Sequence, residues 1–265
     1  MVTNKNIISQ SKLLQIYETV TDLENNCSCA VECWKNIKNL KGRLGKTQVP
    51  YRPFVGSDYK GILFAGINLN NATGSENEIE ILKDKAVEDY LKKKKYKIFK
   101  SKKYGGSPFY YYVPLLAYLY HIYINGHNLI ETEQEISFEQ IAEGFEYCGL
   151  TNLIKCCVPS QNRRSTPSLE MYKNCIGKFC QELDLIEYNV LVVFTYFKCR
   201  FLSGLLDRYT LMHDGNRYRI HTNGKSRLVE LEHPLSTNIT RPAKFISYSR
   251  AIYNVVNLPS VVKLQ

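Results

Sequence analysis

One short run constrains the fold more than any other feature: Gly61-Ile62-Leu63-Phe64-Ala65-Gly66 is apolar without interruption and bounded by glycine. A strand with one wet face would alternate apolar and polar side chains. An unbroken run of this length therefore reads as a strand buried on both faces, the pattern of a parallel sheet. Parallel strands need helical crossovers, and the chain supplies the helical patterns. Further strands are expected at Leu150 to Cys156, Val190 to Tyr196 and Arg227 to Leu231. Helices are expected over 8–24, 27–40, 76–97, 109–123, 138–147, 168–184 and 246–256. This alternation predicts an α/β fold of three layers, α/β/α, around a central four-stranded parallel sheet. With 265 residues, the chain is read as one domain over 1–265 that buries its core without disulfides. Residues 1–49 form an N-terminal helical segment that bears cysteines, and 76–104 a basic insert.

The 35 basic and 25 acidic residues leave a net charge of +10, which points to a polyanionic partner whose binding weakens with salt. No run approaches the roughly 20 apolar residues of a membrane span, and Met1 to Gln10 lacks a secretory apolar core. A cytoplasmic monomer without membrane attachment is expected. Nine cysteines, an odd number without a secretion signal, then read as thiols or metal ligands rather than a disulfide framework. The densest charge, Lys92 to Lys97 with Lys100, Lys102 and Lys103, is either a solvated helix end or a phosphate-contacting surface. The tyrosine-rich segment from Phe109 to Tyr123 reads as core, with only Phe109 at its mouth a candidate for stacking on a base.

Three stretches carry the functional signal: Gly66-Ile67-Asn68, Thr151-Asn152-Leu153-Ile154-Lys155-Cys156 and His233-Pro234-Leu235-Ser236. Each puts a polar side chain at or just past the end of an expected strand, where an open α/β sheet keeps its ligand site. The second stretch continues through Pro159, Asn162-Arg163-Arg164, Thr166-Pro167, Glu170 and Cys175. This block resembles that of the uracil-DNA glycosylase superfamily, in particular its iron-sulfur branch, families four and five. Gly105 to Phe109 is similar to the Pro-Phe element of that superfamily. Gly-Ile-Asn is similar to the motif of its thymine-DNA and mismatch-specific branches. The resemblance spans roughly residues 50 to 240, interrupted by the basic insert.

It implies a monofunctional DNA glycosylase that flips a base and hydrolyses its N-glycosidic bond. Such chemistry passes through an oxocarbenium-like sugar, so a departing base anion must be stabilised and a water held beneath the anomeric carbon. The catalytic pair would be Asn68, positioning the water by hydrogen bonds, and His233, donating to the base as its charge develops. An amide cannot take the water's proton as a carboxylate would, so slow chemistry is expected. Base-binding roles fall to Asn152, which reads the pyrimidine edge, to Phe109, which stacks on it, and to Ile67. DNA-binding roles fall to Arg163, Arg164, Ser236, Thr237 and Arg241, with Leu235 or Ile239 as the wedge that fills the gap left by the flipped nucleotide. Where the family has His-Pro-Ser-Pro this chain lacks the second proline. The substrate is either uracil or a modified pyrimidine, including a bulky hypermodified cytosine of phage DNA removed in antiviral defence.

The resemblance also implies a 4Fe-4S cluster on Cys29, Cys33, Cys156 and Cys175, with Cys157 able to replace Cys156. Zinc on the same thiolates, or free buried cysteines, are the alternatives. Two other classes remain open: a catalytically silent DNA-binding protein of the same fold, and an unrelated zinc or iron-sulfur module.

Overall fold

The computed structural model describes residues 54–56, 58–66, 108–153, 169–195, 202–234 and 239–259. The helices expected over 8–24, 27–40 and 76–97, and with them segments 1–49 and 76–104, lie outside the described residues. The strands are β1 (Phe54–Val55), β2 (Ile62–Gly66), β3 (Cys148–Asn152), β4 (Val190–Thr195), β5 (Thr210–Asp214), β6 (Tyr218–Thr222) and β7 (Arg227–Glu232). The helices are α1 (Pro108–Ile124), α2 (Phe138–Tyr147), α3 (Leu169–Leu185), the single turn α4 (Ser203–Leu206) and α5 (Arg241–Asn257).

All seven strands belong to one sheet in the order β1-β3-β2-β4-β7-β6-β5. Its middle, β3-β2-β4-β7, is parallel throughout and consists of the four expected strands. The expectation of four strands is corrected at the edges, where β1 adds antiparallel to β3 and the β5–β6 hairpin adds antiparallel to β7. The hairpin turns at Asp214-Gly215, where Gly215 N–H donates to the Tyr218 carbonyl at 3.1 Å. Asp-Gly between segments with strand composition is a hairpin signal.

The apolar run of β2 is buried at every residue, and its parity explains why. Ile62 and Phe64, with Val190, Val192, Phe194, Val229 and Leu231, face a core built with α1 and α5. Leu63 and Ala65, with Leu191, Val193 and Leu228, face a second core built with Tyr172, Phe179 and Leu183 of α3 and Leu205 of α4. Helices therefore cover both faces, and the strands of the parallel middle are apolar at both parities except near their ends and at Glu230 of β7, which is buried beside His221. Strand β3 begins two residues earlier than expected because no loop separates it from α2. Cys148 is at once the helix C-cap and, with extended dihedrals (φ −103°, ψ 159°), the first strand residue. Asn152 thereby becomes the last residue of β3.

Two glycines are dictated by space and dihedral. Gly61 precedes β2 with φ +86°, a conformation that other residues adopt at a cost. At Gly144 a Cβ would lie 1.8 Å from the Pro114 carbonyl oxygen, so this position brings α2 against the backbone of α1. Gly144→Ala should lower stability by about 3 kcal/mol or more, because helix backbone rather than a flexible side chain must move. Gly177→Ala, on an open helical position of α3, should raise it by about 0.5–1 kcal/mol. Urea unfolding of both variants checks the opposite signs.

Candidate functional site

Connections from β2 go to β3 on one side, whereas β4 and β7 follow on the other, so the strand order reverses between β2 and β4. A crevice opens at such a reversal, outside the carboxyl ends of the strands. The residues at that edge are Gly66 of β2, Asn152 of β3, Thr195 of β4 and, just past β7, His233. Gly66 is in register with Asn152, and Thr195 with Glu232. Asn152 and His233 thus share one edge of the sheet, separated laterally by three strand spacings, roughly 14 Å. Asn152 is 6% exposed and has the parity of Cys148 and Leu150, which face α1 and α5. Its neighbour Thr151 points to the other face and donates to the buried Glu182 carboxylate of α3. Burial holds the Glu182 carboxyl well above the ordinary carboxylate range. This bond moors the end of β3 directly beside Asn152. At the end of β4, the buried Thr195 hydroxyl has no hydrogen-bond partner among the described residues.

His233 is partly buried, and its pKa is lowered to about 4, first by burial and then by the charge of Lys244. Lys244 of α5 is fully buried, and its Nζ donates to the Pro234 carbonyl at 2.7 Å. Its own pKa is lowered by burial, partly offset by Glu232. One turn further on, Tyr248 Oη donates to the Glu232 carbonyl. The imidazole at this edge is accordingly neutral at physiological pH, a donor on one nitrogen and an acceptor on the other.

Arg241 opens α5 and is engaged within the protein. Its Nε lies 2.9 Å from Glu133 Oε2, and its Nη2 donates to Tyr111 Oη at 3.4 Å. The guanidinium carbon stands 5.2 Å from the Tyr111 ring centroid, and Tyr111 Oη donates to Glu133 Oε1 at 2.7 Å. The side chain expected to grip phosphate therefore bridges α5 to the turn before α2, with 18% of it exposed. Phe109 lies in the first turn of α1. Ile239 is partly buried just before α5. Ile67, Asn68, Arg163, Arg164, Leu235, Ser236 and Thr237 lie outside the described residues.

Of the four cysteines assigned to a cluster, Cys29, Cys33 and Cys156 lie outside the described residues, as does Cys157. Cys175 of α3 is buried in the core with Leu63, Ala65 and Phe179. Among the described residues, no three His, Cys, Asp or Glu side chains form a group that could hold a metal ion. No helix among the described residues is long and apolar enough to cross a membrane.

Three participants at the edge escaped the sequence reading: Thr195, Lys244 and Tyr248. A signal for the last two exists, since they stand four residues apart, on one helical face that also carries the buried Phe245 and Ile252. No known protein-family model and no characterised protein sequence matches the chain.

The depressed His233 pKa has a measurable consequence. Between the ordinary histidine value of about 6.5 and the folded value of about 4, the unfolded chain binds a proton that the folded protein refuses. Stability should therefore fall as pH is lowered from about 6.5 toward 4, and be unaffected by this group above about 6.5. Urea unfolding at pH 7.0, 6.0 and 5.0, compared between wild type and His233→Gln, checks it. The variant should lose much of the slope between pH 6.5 and 5.

Proposed function

We propose that the protein is a monofunctional DNA glycosylase that hydrolyses the N-glycosidic bond of an extruded uracil or modified pyrimidine. One observation carries the reading: Asn152 and a neutral His233 stand on the same carboxyl edge of one parallel sheet, the edge toward which Gly66-Ile67-Asn68 also runs in sequence. An amide there can donate to and accept from a pyrimidine edge. A neutral imidazole donates a hydrogen bond to the base oxygen that gains charge as the glycosidic bond lengthens. The lone requirement left is a water beneath the anomeric carbon, the role given to Asn68. With an amide in that role, the water is oriented but not deprotonated, and turnover is slow.

Charge supports the partner. A net charge of +10 suits a polyphosphate, with Arg163, Arg164, Ser236 and Thr237 as the proposed phosphate contacts and Phe109 as the stacking ring. Arg241 takes part only through a rearrangement that releases Glu133. An iron-sulfur cluster is a separable part of the proposal, resting on the resemblance of the block that holds Cys156 and Cys175 to the iron-sulfur branch, with Cys29 and Cys33 as the other pair. Iron and acid-labile sulfide near one cluster per chain after anaerobic purification supports it, whereas zinc in their place removes it.

The test is direct. DNA strands that carry uracil, mismatched thymine, hydroxymethylcytosine or glucosylated cytosine are incubated with the protein, and abasic sites are quantified. Excision of at least one base is expected, lowered about 10²–10³-fold by His233→Ala, the usual cost of losing an anion-stabilising donor, with DNA binding retained. Release of no base, or release that His233→Ala and Asn68→Ala leave intact, contradicts the reading.

A further inference from the structure

We infer that Lys244 and Tyr248 are positioning residues for His233, two buried side chains of α5 that grip the main-chain carbonyls on either side of it. Lys244 Nζ donates to the Pro234 carbonyl at 2.7 Å, and Tyr248 Oη donates to the Glu232 carbonyl. The Glu232 carbonyl lies in the peptide plane that enters the His233 Cα, so its bond to Tyr248 fixes one of the two planes that meet there. The Pro234 carbonyl lies one plane beyond the second, and its bond to Lys244 holds the chain where the proline ring already restricts φ. The main chain that carries the imidazole is thus tied to α5 both before and after His233.

The clamp itself is rigid. The Tyr248 ring packs edge-on against Tyr112 with centroids 5.1 Å apart and against Phe194 of β4 at 6.0 Å. One turn before Lys244, Arg241 is tied to Glu133. At the far end of α5, Arg227 Nη2 donates to the Leu258 carbonyl at 2.7 Å, and its Nη1 to the Val255 carbonyl. Helix α5 is thus pinned to the first residue of β7 at its C-terminal end and to the residues around His233 through its first two turns.

A buried ammonium is a costly way to hold one carbonyl, since an apolar side chain of similar size would fill the space without desolvating a charge. The position of this charge explains it. Among the described residues, Lys244 is the ionisable group whose charge acts on His233. Glu232, the residue before His233, acts on Lys244, and Arg241 is offset by Glu133. The ammonium therefore disfavours a second positive charge on the imidazole while adding to the positive potential at the edge where an anion would form. This catalytic benefit rests on the glycosylase reading; the clamp does not.

The experiment is an NMR titration of the His233 ring in the intact protein without DNA, for wild type, Lys244→Met, Lys244→Arg and Tyr248→Phe. The wild-type midpoint is expected near 4. Lys244→Met should raise it by about one unit, since a like charge has been removed, and Lys244→Arg should keep it low. Tyr248→Phe, which retains the charge, should leave the midpoint low and lower kcat for excision with little change in KM. If Lys244→Met does not fold, Lys244→Gln, a donor without charge, is read in the same way. A His233 midpoint unchanged by loss of the Lys244 charge overturns the inference, even in a protein that excises bases. A shifted midpoint in a protein that excises nothing keeps the coupling of Lys244 to His233 and rejects only the glycosylase reading.

Discussion

Burial of four parallel strands on both faces is the constraint from which the rest follows. β3, β2, β4 and β7 all run the same way, and their side chains alternate between two apolar cores. Polar residues are few in the middle of such strands, where Glu230 of β7 is buried with His221 3.7 Å away, and otherwise collect toward the strand ends. Because the strands are parallel, they stop at one edge. Asn152, Thr195 and His233 share an edge for that reason, beside the reversal of strand order between β2 and β4, where open α/β sheets place their ligands.

Behind the edge that the proposed function uses stands a second layer of side chains. Helix α5 presents Lys244 and Tyr248 to the carbonyls around His233, while α3 presents Glu182 to Thr151 beside Asn152. Each half of the edge is therefore moored to a helix on a different face of the sheet. Both moorings use an ionisable side chain deep in the protein, and burial biases both toward their neutral forms. At His233 the same burial, with the Lys244 charge, keeps the ring an uncharged donor. Such groups are held ready before any ligand arrives, the condition under which hydrogen-bond donors contribute most to stabilising a developing charge.

The parallel middle of the sheet was legible because nothing but a strand buried on both faces explains Ile62 to Ala65 or Val190 to Phe194. Asn152 and His233 were singled out through the family resemblance rather than through an apolar run: the expected strand Leu150 to Cys156 put Asn152 near its start, whereas β3 ends at Asn152. The β5–β6 hairpin was not read, although Asp214-Gly215 marks its turn, because its strands are half exposed and have no apolar run. Lys244 was hidden by its chemistry: a lysine on a helix ordinarily faces water, and only the three-dimensional proximity of Pro234 shows why this one does not. Arg241 shows the opposite limit. Sequence marks it as a free cation near His233, whereas Glu133, far away in the chain, is its partner.

The decisive experiment is a crystal structure of the protein with DNA that contains a 2′-fluoro pyrimidine nucleotide. The fluorine disfavours the oxocarbenium-like state and so preserves the intact substrate. The account predicts the pyrimidine turned out of the helix and seated at the carboxyl edge of the parallel strands, with Asn152 on its polar edge and His233 within hydrogen-bonding distance of its O2. DNA bound along the β5–β6 hairpin, or a base seated away from both residues, would contradict it.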